Sequence, residues 1–313
     1  MMVLLGGCRG KTEQDTPSPS RSTSKLDTAR LGERVVTLRA LAMPHHVIAK
    51  HLGAHRVSCR STLKTHVPSF SERSVTQQLS MAVDAEGRFA ATKNTDPQHG
   101  EEVVWTGSWL YPRLRHSKFV KRRPRDVREP RRVADRMYGL LPGYVELLGR
   151  FMTVKAAGDG KVGGRKVVKV TLGLAADPRP MTAEQAPSRR WRHSVVARKL
   201  KGTAALCAKT GVPLAVDLQA EWDFHPPAPG KVPASGVPAR LDKKNVGRMA
   251  LELRQRLSDV GGKVSVTPPD PSQVDQEVRR VRLELERQML TGERPVAGRV
   301  DRSENREGDE GAE

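Results

Sequence analysis

Residues 211–224, GVPLAVDLQAEWDF, alternate apolar and polar with almost no error. Leu214, Val216, Leu218, Ala220, Trp222 and Phe224 fall on one side, and Ala215, Asp217, Gln219, Glu221 and Asp223 on the other. Successive side chains of an extended chain point to opposite faces, so this pattern suits a strand with one buried and one wet face. Lys209-Thr210-Gly211 supplies turn residues before it, and residues 194–206 again read as extended, which makes the two runs a hairpin.

The rest of the chain repeats the device. Residues 26–52 read as a helix, with Leu31, Val35, Leu38 and Leu41 on one stripe, broken at Pro44 and closed at Gly53. Residues 56–67 alternate, with Val57, Cys59, Leu63 and Val67 on the apolar side; Leu79, Met81 and Val83 continue the pattern, as do residues 87–95, 101–110 and 116–121. Helical spacing returns over 127–154, through Val133, Met137, Leu140, Leu141, Tyr144, Val145 and Leu148, and Pro142-Gly143 is expected to divide that helix. Residues 165–174 are a further strand, with Val168, Val170, Leu172 and Leu174 on its apolar face. A Pro-rich loop over 225–238 precedes a last strand in which Met249, Leu251, Leu253 and Leu257 step evenly against Arg248, Glu252, Arg254 and Arg256. Propensity alone makes this segment helical; the period of two decides for strand. Residues 273–290 read as a charged helix and 291–313 as a disordered tail.

The N-terminus bears on cellular address. Leu5-Gly6-Gly7-Cys8 follows a short apolar run and precedes a Ser/Thr/Pro-rich stretch, the order found where a bacterial lipoprotein signal meets its lipid-bearing cysteine and tether. The apolar run is shorter than the about 7–15 residues a secretory signal needs, which points to a coding start upstream. Residues 1–25 are then signal remnant and tether, with Cys8 the lipidation site; the alternative is a chance cysteine in a cytosolic protein. No segment reaches the ~18 apolar residues of a membrane span, so an anchor would be the lipid. Cys59 and Cys207 carry no spacing signature and read as buried thiols, with pairing the alternative.

An N-terminal helix, a meander of amphipathic strands, an interrupted helix and further strands, with Glu101-Glu102-Val103-Val104-Trp105-Thr106-Gly107, Gly163-Gly164-Arg165 and Lys209-Thr210-Gly211-Val212-Pro213-Leu214, resemble the periplasmic lipoprotein-localisation carrier and receptor family (LolA/LolB-like). The resemblance implies a mainly β, α+β fold over residues 26–270: a curved, half-open antiparallel β-barrel whose apolar face is covered by helices and receives acyl chains. It places the chain in the cell envelope, lipid-anchored and facing the periplasm from the outer membrane, with acyl lipid or lipoprotein as partner and no cofactor. The face so implied comprises Leu79, Met81, Trp105, Val168, Val170, Leu172, Leu214, Val216, Leu218 and Trp222, with Leu141 and Tyr144 from the helix; a solidly packed core is the competing reading. The low aromatic content, 4%, and a long basic segment depart from the family pattern.

That segment is the second candidate site. Arg113, Arg115, Lys118, Lys121, Arg122, Arg123 and Arg125 crowd together in a chain of net charge +20, which suits anionic head groups. Nucleic acid is the alternative partner, although no helix-turn-helix, zinc finger or stacking-aromatic pattern accompanies the cluster. The glycine-rich run 158–166 lacks the Gly-Lys-Ser/Thr ending of a phosphate loop and leads into a strand, so it reads as a turn. His45, His46, His51 and His55 fit no metal-ligand spacing. Glu101 and Glu102 point to opposite strand faces, and no nucleophile and base set is recognisable, so no catalytic residue is assigned.

Overall fold

The computed structural model describes residues 26–68, 70–95, 99–179, 187–225 and 245–275. Two short helices, α1 (Arg34–Leu41) and α2 (His45–Leu52), precede strands β1 (His55–Val67), β2 (Phe70–Val83), β3 (Phe89–Thr95), β4 (His99–Trp105), β5 (Leu110–Leu114) and β6 (Phe119–Val120). Helices α3 (Glu129–Tyr138) and α4 (Leu140–Leu148) follow, then β7 (Met152–Val162), β8 (Arg165–Leu174), β9 (Val196–Cys207), β10 (Pro213–Phe224), β11 (Gly247–Ser258) and the short β12 (Val274–Asp275).

Ten of these strands make one antiparallel sheet in the order β5-β4-β3-β2-β1-β11-β10-β9-β8-β7. It consists of two meanders, β1 to β5 and β7 to β11, joined where β1 lies against β11 over the register Arg56↔Ser258 to His66↔Arg248. The sheet does not close: β5 and β7 are its two edges. β5 is short and contains Pro112, while a bulge between Ala156 and Asp159 interrupts the pairing of β7 with β8. The remaining pair, β6 and β12, is parallel, with Val274 opposite Phe119.

One face of the sheet carries the core. Val57, Leu79, Met81, Val170, Val216, Leu218, Leu251 and Leu253 are buried there together with Leu41, Ile48, Val133, Met137, Leu141 and Leu148 of the helices. Ion pairs and capping contacts fix the helices in place. Arg136 of α3 grips Glu101 of β4 at 2.7 and 2.8 Å, and Asp135 accepts from the backbone N–H of His46 at 2.9 Å, tying α3 to α2. Arg34 of α1 donates to the carbonyl of Arg150 at 2.8 Å, beyond the end of α4.

Several local expectations are corrected. The helix expected over 127–154 ends at Leu148, and Met152 already belongs to β7. Its break falls at Gly139, not at Pro142-Gly143; Pro142 sits in the first turn of α4, where no intrahelical N–H is needed. The run 158–166 is strand on both sides of a two-residue turn, Gly163-Gly164, whose φ values of 53 and 76° are those a tight hairpin requires. Residues 101–110 are two elements, not one, since the chain turns between Trp105 and Leu110. Val35 is exposed, and α1 buries Val36, Ala40 and Leu41 instead. Leu174 is exposed at the end of β8. Gln273 lies in a 3-10 turn and Val274–Asp275 form β12, so the expected charged helix does not start at 273; its remainder, the tail, the tether with Cys8 and residues 226–238 of the Pro-rich loop lie outside the described residues.

Candidate functional site

The register puts the expected apolar residues side by side. Met81 faces Val57 across β1 and β2, Val216 and Leu218 lie on β10 beside Gln255 and Leu253 of β11, and Val170 and Leu172 follow two strands away. Leu79, Met81, Val170, Leu172, Leu214, Val216, Leu218 and Trp222 are all buried on the helix-covered face; Leu141, fully buried, meets them from α4. Trp105, Tyr144 and Val168 are half-buried and pack against the same core. Face and helices thus form one continuous apolar layer. Two grooves, of about 390 and about 500 Å³, are lined mainly by residues of the opposite, open face.

Polar atoms interrupt that layer where the sequence reading did not look. Gln255 is completely buried; its amide nitrogen donates to the Tyr138 hydroxyl at 2.8 Å, and its Oε1 has no hydrogen-bond partner among the described residues. The indole N–H of Trp222, a residue 1% exposed, is likewise unpartnered. Burial raises the phenol pKa of Tyr138 above its ordinary value, with the Gln255 hydrogen bond opposing, and raises that of Tyr144, with Ser61 opposing. The Cys59 thiol beside them is pushed up to about 12 by burial, so it is inert; Cys207 is also a free, buried thiol. A signal for Gln255 and Ser61 was present: in the series 249, 251, 253, 257 the missing step is Gln255, and in 57, 59, 63, 67 it includes Ser61. Both gaps are filled by buried polar residues, whereas Thr65, on the same phase as Ser61, is half-buried.

The histidines fall into two environments. His45 and His55 are buried with their Nε2 atoms 3.3 Å apart, and His55 Nδ1 lies 2.7 Å from the Gly53 carbonyl. Burial, reinforced by the neighbouring His55 and His46, lowers the pKa of His45 to about 3, and burial lowers that of His55. Both are therefore neutral structural groups near neutral pH. His46 instead pairs with Asp135 at 2.7 Å and contacts Arg131. No group of potential metal ligands occurs among the described residues.

The basic segment is divided by the fold. Arg122 is 9% exposed and holds Glu129 at 2.8 and 3.0 Å, a buried pair at the start of α3. Arg113 pairs with Glu102 at 2.8 Å and lies over the Phe119 ring. Lys121 and Arg123 both lie over Trp109, at 4.6 and 5.3 Å from its centroid, and with Arg125 they are exposed. Lys118 is exposed and Arg115 half-buried in the same segment. Glu101 and Glu102 take different arginines, Arg136 and Arg113, as their opposite strand faces require.

No family model matches the sequence, and no curated protein does. Solved structures to which the chain is similar include LprF from Mycobacterium bovis, at 16% identity and a TM-score of 0.29 over 76% of this chain and 97% of that one. The lipoprotein LppX from Mycobacterium tuberculosis aligns at 13% identity and a TM-score of 0.30 over 74% and 97%. A LolA superfamily protein from Nitrosomonas europaea, of the family the sequence resembles, aligns at 9% and 0.18 over 74% and 96%. At such scores the likeness carries no functional weight.

Proposed function

We propose that the chain is a lipid-binding protein of the cell envelope, in which the helix-covered face of the sheet takes up the acyl chains of a lipid or lipoprotein. The observation that carries this reading is the presence of buried polar atoms, Gln255 Oε1 and Trp222 Nε1 among them, without hydrogen-bond partners among the described residues on a mainly apolar face. A buried polar group without a hydrogen bond costs about 1–3 kcal/mol. An amphipathic ligand whose head bears a donor or acceptor would satisfy one of them while its chain gains about 0.8 kcal/mol per buried CH₂.

The face is closed over by α3 and α4, so entry requires the helix pair to swing from the sheet about Gly139 and Gly149, with the sheet curling round the chain as a half-open barrel. Leu79, Met81, Trp105, Leu141, Tyr144, Val168, Val170, Leu172, Leu214, Val216, Leu218 and Trp222 would then line the ligand. Cys8 is the proposed lipid attachment point, and the exposed Lys118, Lys121, Arg123 and Arg125, of which Lys121 and Arg123 lie over Trp109, are the proposed contact with anionic head groups. No catalytic role is assigned. Of the neighbours named above, LppX is a lipoprotein and the Nitrosomonas europaea protein a LolA superfamily member, but at those scores neither supports the reading.

Native mass spectrometry of the full chain purified from a bacterial envelope tests the proposal. A co-purifying acyl lipid, displaced in proportion by a fluorescent fatty acid, is the expected result. A lipid-free protein that also ignores the fluorescent fatty acid would show a solidly packed core and sink it.

A further inference from the structure

We propose that the open face of the sheet holds a separate site, a groove that takes the phosphate group of a small sugar or polyol phosphate. The groove, about 390 Å³ in volume, crosses β3, β2, β1 and β11, and a few hundred Å³ is the size of a small-molecule site. It lies on the opposite side of the sheet from the acyl-binding face and does not depend on it.

The charge arrangement points to an oxyanion. Arg60 of β1 lies directly opposite Arg254 of β11, and Ser58 lies opposite Arg256. Like charges facing each other across two strands are destabilising. Arg60 has no carboxylate partner among the described residues, whereas Asp217 of β10 holds Arg254 at 3.1 Å and Arg256 at 2.6 and 2.9 Å. One carboxylate set against three guanidiniums leaves the groove positive, and no acidic side chain lines it. Asp217 also fixes Arg254 and Arg256, so two of the three cations are oriented before any ligand arrives.

The neutral wall decides between a bare anion and a hydroxyl-bearing one. Gln78 and Ser80 of β2 and Thr92 and Asn94 of β3 supply the other polar lining, with Cys59 and Leu79 in the floor; the register places Asn94 opposite Gln78 and Thr92 opposite Ser80. Amides and hydroxyls both donate and accept, which matches the hydroxyl groups of a sugar. A phosphate accepts paired guanidinium N–H bonds and brings the negative charge that Arg60 and Arg254 lack between them. A lipid bilayer would present phosphate as well, but as a plane of head groups that has no use for a groove walled with amides.

Calorimetric titration of the full chain at low salt with glucose 6-phosphate tests the assignment, with inorganic phosphate, glucose and phosphatidylglycerol vesicles run beside it. Saturable binding of glucose 6-phosphate is expected, tighter than that of inorganic phosphate, with glucose alone silent. Arg60→Gln should weaken it about tenfold, the scale of one charge-assisted hydrogen bond, and Arg60→Lys should retain part of the affinity. Gln78→Ala should weaken glucose 6-phosphate binding and leave inorganic phosphate unchanged. Because Arg60 is exposed and faces Arg254, the Arg60→Gln protein should melt no lower than the wild type, so lost binding will not be unfolding. Failure to saturate at millimolar glucose 6-phosphate, or full affinity in Arg60→Gln, overturns the proposal. So does binding to vesicles alone, which would make the face a membrane contact.

Discussion

Gln255 of β11 donates a 2.8 Å hydrogen bond to the Tyr138 hydroxyl of α3, and both residues are completely buried. The bond ties the helix pair to the seam at which the two meanders meet. Tyr138→Phe leaves the Gln255 amide with neither end paired and should destabilise the protein by about 1–3 kcal/mol in urea unfolding. Adding Gln255→Leu should restore most of the loss, since an apolar pair has no unmet hydrogen bond. A Tyr138→Phe protein as stable as the wild type would mean that this bond contributes nothing.

Stability should fall as pH drops below neutrality, through the buried histidines. Folding holds the pKa of His45 at about 3 and lowers that of His55, against about 6.5 in an unfolded chain. Below about 6.5 the unfolded state therefore takes up protons that the folded state refuses, and stability is lost progressively towards pH 3. The slope for one proton is at most about 1.4 kcal/mol per pH unit. Urea midpoints measured between pH 7 and pH 5 should show the decline, and His45→Phe should make it shallower. An unchanged slope in that variant would assign the decline to other groups.

Arg122 and Glu129 are 9% and 5% exposed at their side chains. Burial alone would raise the Glu129 pKa, but the hydrogen bonds from Arg122 and the Arg125 backbone outweigh it and hold the carboxyl below its usual range. Glu129→Gln strands a buried guanidinium, and a loss of about 3–5 kcal/mol is expected. The double variant Arg122→Met with Glu129→Leu should recover much of this. Equal stability of the single variant and the wild type in denaturant titration would show that the pair is solvated.

Acyl binding beneath α4 should be visible in amide hydrogen exchange. On saturation with a fluorescent fatty acid, the amides of Leu140–Leu148 should change their exchange rates, while those of β1 and β11, already paired on both sides, should not. Binding that left α4 unaffected would place the acyl chain elsewhere.

Much of this architecture could be read from periodicity because a strand with one wet face writes its burial into every second residue. That is why 249–257 was recognisable as strand against its helical propensity, and why the apolar face could be assigned before any contact was known. β7 escaped detection for the same reason reversed. Lys155, Ala156, Ala157, Gly158 and Asp159 are exposed on an edge with a bulge, so neither face imposes a pattern. The helix break was misplaced because Pro142 looks disruptive in sequence, yet at the first turn of a helix it displaces no hydrogen bond. In the candidate site the aliphatic residues were legible, whereas Gln255 and Ser61 showed only as gaps in the apolar series. A single polar residue within an apolar phase reads as an irregularity until the helices that cover it are in place.

An open sheet risks growing by recruiting a strand from another molecule. Here each margin is spoiled for that use: Pro112 withholds an N–H on one side, and the irregular backbone between Ala156 and Asp159 breaks the spacing on the other. The chain thereby terminates its own hydrogen-bond lattice, and crowding many copies together gives them no template on which to polymerise.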